Sequence, residues 1–208
     1  MMTDPTLGYL ILSGDVEVNP GPNKRKTTLS ICHWNLNSVW PEDFIKIDQL
    51  SAFLNTHNFD IVCLGETFLN SEIRDDDERL AIENYDIFRC DHPSDSKRGG
   101  VCIYYRDHLG LEERPRLTSL DECLVVEMKA SGNRFFLCVC YRSPSQDSNE
   151  FDTFSQKWEE TVININNCSP TAAIFIGDFN VKNSAWWDAD ITDPEGREIQ
   201  NLATQHGL

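Results

Sequence analysis

Asp178 and Asn180 close the apolar run Thr171-Ala172-Ala173-Ile174-Phe175-Ile176-Gly177, bringing a carboxylate and a carboxamide within two positions of each other. Chemistry on a phosphate uses such a pair: an anion to orient water or a metal ion, and a neutral donor for a phosphoryl oxygen. A run of small and β-branched residues reads as a strand buried on both faces. Strand alternation would aim Asp178 and Asn180 to the same side. The plain alternative is a strand followed by an Asx turn, because Gly, Asp and Asn are favoured turn residues. This segment alone leaves the two readings level, and other strand ends decide between them. His33-Trp34-Asn35-Leu36-Asn37 closes one apolar run, Leu64-Gly65-Glu66-Thr67 another, and Cys140-Tyr141-Arg142-Ser143-Pro144 a third. Singly, Glu66 is a strand-end charge, Tyr141 a core-edge residue and Asn35 a turn former. Together, in an open α/β sheet whose strand ends converge on one crevice, they read as a phosphate-processing site.

The elements that must position these residues alternate along the chain. Strands are expected at Leu29–Asn35, Asp60–Glu66, 85–89, 100–106, 122–129, 134–142 and 171–180. Pro41–Asn55 has Phe44, Ile47, Leu50 and Leu54 at helical spacing, with Pro41 suited to a first turn. Phe151, Phe154, Trp158, Val162 and Ile165 mark a second amphipathic helix, and Glu195–Gln205 a third. Residues 70–84, with Arg74-Asp75-Asp76-Asp77-Glu78-Arg79, read as a solvated loop. Helices outside and strands between them, with antiparallel hairpins in the middle, predict an α/β fold: a layered sandwich of mixed sheets flanked by helices.

The 208 residues suit one domain with a sizeable core. Their 18 Lys and Arg against 34 Asp and Glu give a net charge of −16. That acidity argues against tight, sequence-independent nucleic-acid binding by this stretch alone, which depends on neutralising phosphates. It is compatible with a divalent cation. The eight cysteines contain no Cys-x-x-Cys and no zinc spacing; they sit in strand-like runs, read as packing residues, and fit a reducing, intracellular setting. No apolar run has the length of a membrane span, so no membrane partner is expected.

The N-terminal region reads separately. Leu7–Leu12 is a short apolar segment without the basic flank of a secretory signal. The run Asp15-Val16-Glu17-Val18-Asn19-Pro20-Gly21-Pro22 resembles the core of 2A-type ribosome-skipping peptides. The resemblance implies that the ribosome is a partner of the nascent chain and that the Gly21–Pro22 bond is not made. Asp15, Val16, Glu17, Asn19, Pro20, Gly21 and Pro22 carry it. Residues 1–22 are then a leader, 23–28 a linker with Lys24-Arg25-Lys26, and 29–208 the enzyme-like domain.

Trp34-Asn35-Leu36-Asn37-Ser38, Glu66-Thr67-Phe68-Leu69, Arg98-Gly99-Gly100-Val101, Tyr141-Arg142-Ser143-Pro144 and Gly177-Asp178-Phe179-Asn180 follow one another. In that order they resemble the endonuclease/exonuclease/phosphatase superfamily, and within it the apurinic-endonuclease-like domain of non-LTR retrotransposons. The resemblance implies a DNase I-like sandwich and phosphodiester hydrolysis with Mg²⁺, or Mn²⁺ in its place. Glu66 would ligate the ion, with Asn35 beside it orienting the phosphate. Asp178 would align or deprotonate the attacking water, and Asn180 and Tyr141 would donate to non-bridging oxygens. Asn37 stands where several relatives have Asp, so toward the metal it would offer a carbonyl oxygen but not a full charge. Arg142 would contact phosphate or pair with a local carboxylate. The family's final Ser-Asp-His is absent, and His206 reads as a surface residue. The domain is therefore expected to be incomplete at its C-terminus, with an unpaired sheet edge. The implied function is an endonuclease that nicks target DNA for retrotransposition, acting in the nucleus after cytoplasmic synthesis, with a downstream reverse transcriptase in the same polyprotein. The alternatives are a superfamily phosphatase or phosphodiesterase acting on a lipid or small phosphoester, and a non-catalytic retroelement remnant.

Overall fold

The computed structural model describes residues 7–12, 29–39, 45–94, 98–144, 147–186 and 190–208. The ribosome-skipping motif at residues 15–22, the basic stretch 24–26, and Pro41 and Phe44 lie outside them. Among the described residues, nine strands and three helices follow in order: β1 (Leu7–Leu12), β2 (Ile31–Asn35), α1 (Ile45–His57), β3 (Ile61–Gly65), β4 (Tyr85–Cys90), β5 (Val101–Arg106), β6 (Glu112–Glu113), β7 (Cys123–Ala130), β8 (Asn133–Tyr141), α2 (Ser148–Asn167), β9 (Ala172–Asp178) and α3 (Pro194–His206). Short 3₁₀ turns at Glu78–Leu80, Asp107–Leu109 and Pro115–Leu117 punctuate the connections. The mixed α/β sandwich expected from the alternating pattern is what forms.

Two sheets stack. One has the order β1-β9-β8-β7-β6, the other β2-β3-β5-β4. Between them lies an apolar layer of Ile61, Cys63, Val101, Ile103, Leu124, Val126, Leu137, Val139 and Ile176. On the outer face of the second sheet, Ile47, Leu50 and Leu54 of α1 meet Cys32, Val62, Leu64 and Tyr104. On the outer face of the first, α2 and α3 bring Trp158, Val162, Ile165, Ile199 and Leu202 against Phe136, Cys138 and Phe175. Strands buried on both faces explain why β3 and β5 read as unbroken apolar runs rather than alternations. Six of the eight cysteines are buried within these layers and all eight are free thiols, which agrees with their packing role. Burial pushes the Cys32 thiol up to about 12 and the Cys90 thiol to about 11, so neither is a ready nucleophile at neutral pH.

Caps close the helices. Asp147 accepts from the Asn149 amide at the start of α2, and Asp193 accepts from Gly196 ahead of Pro194 at the start of α3. Among the described residues no helix is long and apolar enough to cross a membrane.

Leu7–Leu12, a short apolar segment in the sequence, forms a strand parallel to β9, with Leu7 opposite Ala172 and Leu12 opposite Gly177. β1 thus occupies the side of β9 away from β8, and among the described residues β2 and β4 are the outer strands of the other sheet. On the other side of β9 the parallel register sets Cys140 beside Gly177 and Tyr141 beside Asp178. A Cβ built at Gly177 would lie 1.8 Å from the Cys140 carbonyl oxygen. The glycine of Gly-Asp-Phe-Asn therefore serves the strand pairing that delivers Asp178. Gly177→Ala should lower the unfolding free energy by about 3 kcal/mol, read from the urea midpoint; a midpoint matching the unsubstituted chain would contradict this close approach.

Candidate active site at one end of the sandwich

The four strand ends meet. Tyr141 and Asp178 are neighbours in one sheet through the β8–β9 register; Asn35 lies opposite Gly65 in the other, immediately before Glu66. Two hydrogen bonds cross between the sheets. The Tyr141 phenol donates to Glu66 Oε1 at 2.8 Å, and the Asn35 carboxamide donates to Asp178 Oδ2 at 3.2 Å. The orientation of Asn35 is set from both sides, because its Oδ1 accepts from the Asn37 amide at 3.0 Å.

Backbone conformation aims these groups. In β3, Ile61 and Cys63 face the inter-sheet core, so strict alternation would send Glu66 to the helix side. Glu66 instead has φ of 50°, in the left-handed region. That twist swings its carboxylate onto Tyr141. Asn37 and Ser38 are left-handed as well. The loops after β2 and β3 continue their pairing, with Leu36 N–H on the Gly65 carbonyl at 2.9 Å, Ser38 on Glu66 at 2.7 Å and Val39 on Thr67 at 2.9 Å. Lys46 of α1 clamps the first loop by donating to the carbonyls of Leu36 at 2.5 Å and Asn37 at 2.8 Å. Asn37 thus has a backbone role in the site.

Asn180 is reached differently from the sequence reading. The strand ends at Asp178, and Asn180 is left-handed with φ of 49°. Its N–H donates to Asp178 Oδ1 at 2.9 Å, and its carboxamide donates to the Arg142 carbonyl at 2.6 Å. The Asx turn and the functional site, weighed as alternatives in the sequence, are one structure: the turn fixes one oxygen of Asp178 while Asn35 fixes the other. Arg142 is buried and pairs with a local carboxylate, Glu195. It also donates to the carbonyls of Phe179 at 2.7 Å and Asn180 at 3.0 Å. It holds the loop that carries Asn180. His206 is not a plain surface residue: its Nε2 lies 3.0 Å from Glu159 Oε1 and ties the end of α3 to α2.

Burial first, and then the bond to Glu66, push the Tyr141 phenol above its ordinary value, so it is a proton donor in neutral solution. His33 is a site neighbour whose place the sequence reading did not recognise. Two positions before Asn35, it shares that residue's face of β2. A Cβ built at Gly65 would lie 3.6 Å from its Nε2 and 3.9 Å from Tyr141 Cδ2. Neither ring nitrogen has a hydrogen-bond partner among the described residues. Burial pushes its pKa down to about 4, with Asp178 pulling the other way.

The unfolded chain protonates His33 near 6.5 and the folded chain near 4. Within that window the unfolded state holds the extra proton, so stability rises with pH through the window and is lost as pH falls from 6.5 toward 4. The full loss is about 3 kcal/mol. Urea unfolding in chelator should show this slope, and His33→Leu should flatten it; an equally steep curve for the variant would exclude His33 as its source.

The sequence and the fold were compared with known proteins. The family described as Endonuclease/Exonuclease/phosphatase matches residues 32–206. The RNA-directed DNA polymerase from mobile element jockey of Drosophila funebris is 21% identical over 156 residues, covering 74% of this chain and 15% of the relative. Its Drosophila melanogaster counterpart is 22% identical over 187 residues, covering 86% and 18%. The chain therefore spans a small part of the length of these relatives. Among solved structures, the endonuclease domain of TRAS1, a telomere-specific non-LTR retrotransposon, aligns with a TM-score of 0.64 at 18% identity, covering 86% of this chain and 71% of that one. The AP endonuclease LMAP from Leishmania major aligns with a TM-score of 0.68 at 14% identity, covering 89% and 72%. By the extent of the family match, and with the same α/β sandwich as these structures, the chain belongs to the endonuclease/exonuclease/phosphatase family.

Proposed function

We propose that the chain is the endonuclease domain of a non-LTR retroelement and hydrolyses a DNA phosphodiester with a divalent cation. The observation that carries this reading is the pair of cross-sheet hydrogen bonds, Tyr141 to Glu66 and Asn35 to Asp178. They gather a carboxylate for a cation, a second carboxylate for water and two neutral donors at one sandwich end. The retroelement relatives favour DNA over a lipid or small phosphoester.

The donors fit Mg²⁺, a hard ion commonly held by one or two carboxylates with several of its own waters retained. Among the described residues no three His, Cys, Asp or Glu side chains cluster as an all-protein cage, which is consistent with such a sparse site. Glu66 would hold the ion, with Asn35 beside it; when bound, it would supply Lewis-acid polarisation of a phosphoryl oxygen. The chain's own groups do the rest. Asp178, with both oxygens fixed by N–H donors, orients the attacking water and takes its proton. The Tyr141 phenol, whose one O–H rests on Glu66 Oε1 in this structure, would turn that proton to a phosphoryl oxygen as charge accumulates. Asn180 spends one carboxamide N–H on Arg142 and has a second for the same purpose.

The acidity of the chain is consistent with most phosphate-neutralising charge lying elsewhere in a longer polyprotein, which on this reading includes a reverse transcriptase. The leader, on this reading, separates from the domain during translation at Gly21–Pro22.

The protein encoded by the complete reading frame should nick supercoiled plasmid in Mg²⁺ and lose nicking in chelator. Glu66→Ala or Asp178→Ala should reduce the rate by about 10³-fold or more, and Tyr141→Phe by about 10²-fold. Nicking that survives both alanine substitutions, or release of phosphate from a lipid substrate in its place, would refute the assignment. Flanking reporters joined through residues 1–22 should be made as two products, with one fused product from Pro22→Ala; a fused product from the intact motif would end the claim of skipping.

A further inference from the structure

Arg98-Gly99-Gly100-Val101 marks the entry to β5, and the chemistry above leaves it without a role. Gly99 and Gly100 are left-handed, with φ of 63° and 82°. Their carbonyls receive the two amides that follow Glu66: Thr67 N–H on Gly100 at 3.2 Å and Phe68 N–H on Gly99 at 2.9 Å. Side chains are excluded at both positions. A Cβ at Gly99 would lie 1.9 Å from Glu122 Oε1, and one at Gly100 would lie 2.7 Å from Thr67 Oγ1.

The group pressed against this doublet is the carboxylate of Glu122, itself buried. It accepts the Gly100 N–H. The backbone carbonyl of the same residue accepts the Tyr141 N–H at 3.0 Å. A closed circuit results. Tyr141 touches Glu66 through its phenol; Glu66 leads into Thr67, which is held by Gly100; Gly100 is held by the Glu122 side chain; and Glu122 returns to the Tyr141 backbone. A buried carboxylate is costly unless its bonds repay it. Burial pushes the Glu122 carboxyl up, while the Gly100 N–H and the fields of His92 and Arg98 draw it back.

We infer that Glu122 is a positioning residue: its side-chain reach to Gly100 and its main-chain bond to Tyr141 together fix the contact between the Tyr141 phenol and the left-handed Glu66. The inference rests on the proposed hydrolytic site but concerns geometry that can be measured without turnover. Reach and charge separate cleanly in two variants. Glu122→Asp keeps the charge and withdraws the carboxylate by one methylene; Glu122→Gln keeps the reach and an acceptor oxygen and removes the charge.

Amide hydrogen exchange on the purified chain is the first arm. In Glu122→Asp, exchange should accelerate at Gly100, Thr67 and Phe68, with β5 and β7 unchanged, while Glu122→Gln should match the parent. Acceleration spread over both strands, or none at the three amides, would overturn the inference. Plasmid nicking is the second arm. Glu122→Asp should lower kcat by about tenfold or more with KM within about twofold, since small displacements of reacting groups are expensive. Glu122→Gln should stay within about threefold of the parent, and Glu122→Asp should add nothing to Tyr141→Phe. Equal rates for the two Glu122 variants, or independent losses with Tyr141→Phe, would overturn the inference. If the parent does not nick, the proposed activity fails and the exchange pattern alone decides on Glu122.

Discussion

Two sheets packed face to face leave an apolar interior that must be closed at each end, and at one end the closure is polar. Tyr141 meets Glu66 and Asn35 meets Asp178 across that gap. Each bond joins residues from different sheets, so it forms only when both sheets have the right register and spacing. The in-sheet neighbours Tyr141 and Asp178 are set by the parallel pairing of β8 and β9, which needs the bare backbone of Gly177 against Cys140. The other pair is set by β2 and β3, whose pairing runs on into their loops. The geometry of the candidate site and the assembly of the sandwich are consequences of the same contacts.

Much of this arrangement was legible from residue order. β2 to β5 and β7 to β9 lie within one or two residues of the apolar runs that announced them, because a doubly buried strand must be apolar along its length. Two helices followed from helical spacing of Ile47, Leu50 and Leu54 and of Trp158, Val162 and Ile165, and the third, expected over Glu195–Gln205, forms over Pro194–His206. Conformation at the strand ends was not legible. Alternation predicts a common side for Asp178 and Asn180 and the wrong side for Glu66, yet left-handed turns at Glu66 and Asn180 decide both. Nor does sequence spacing tell which strands face each other across a sandwich. For that reason the buried place of His33 beneath the site escaped the sequence reading, although its spacing from Asn35 was the available signal. The two-residue β6 was missed because so short a stretch carries no periodicity to read, and Leu7–Leu12 was read only as a short apolar segment because its strand partner, β9, lies far along the chain.

The polar end is also held together from outside the chemistry. Lys46 clamps the loop after β2, and Arg142 spends its buried guanidinium on the loop that carries Asn180. The positive charges of Lys46 and Arg142 are thereby committed to backbone carbonyls and to Glu195 rather than offered outward. For a chain of net charge −16, the proposed attraction of a polyanion would depend on cations at the site or on basic surface outside these residues.

The left-handed turn at Glu66 also bears on how the chain would drift or be engineered. A side chain with a Cβ in that region is held at a cost of order 1 kcal/mol, which glycine avoids and asparagine reduces. Gly or Asn at position 66 would relieve that backbone cost, but would also remove the carboxylate oxygen that accepts the Tyr141 phenol across the sheets. In a copy of this domain freed from the proposed task, position 66 would thus be left to a contest between backbone comfort and the cross-sheet bond, and the bond gives the carboxylate a structural reason to persist.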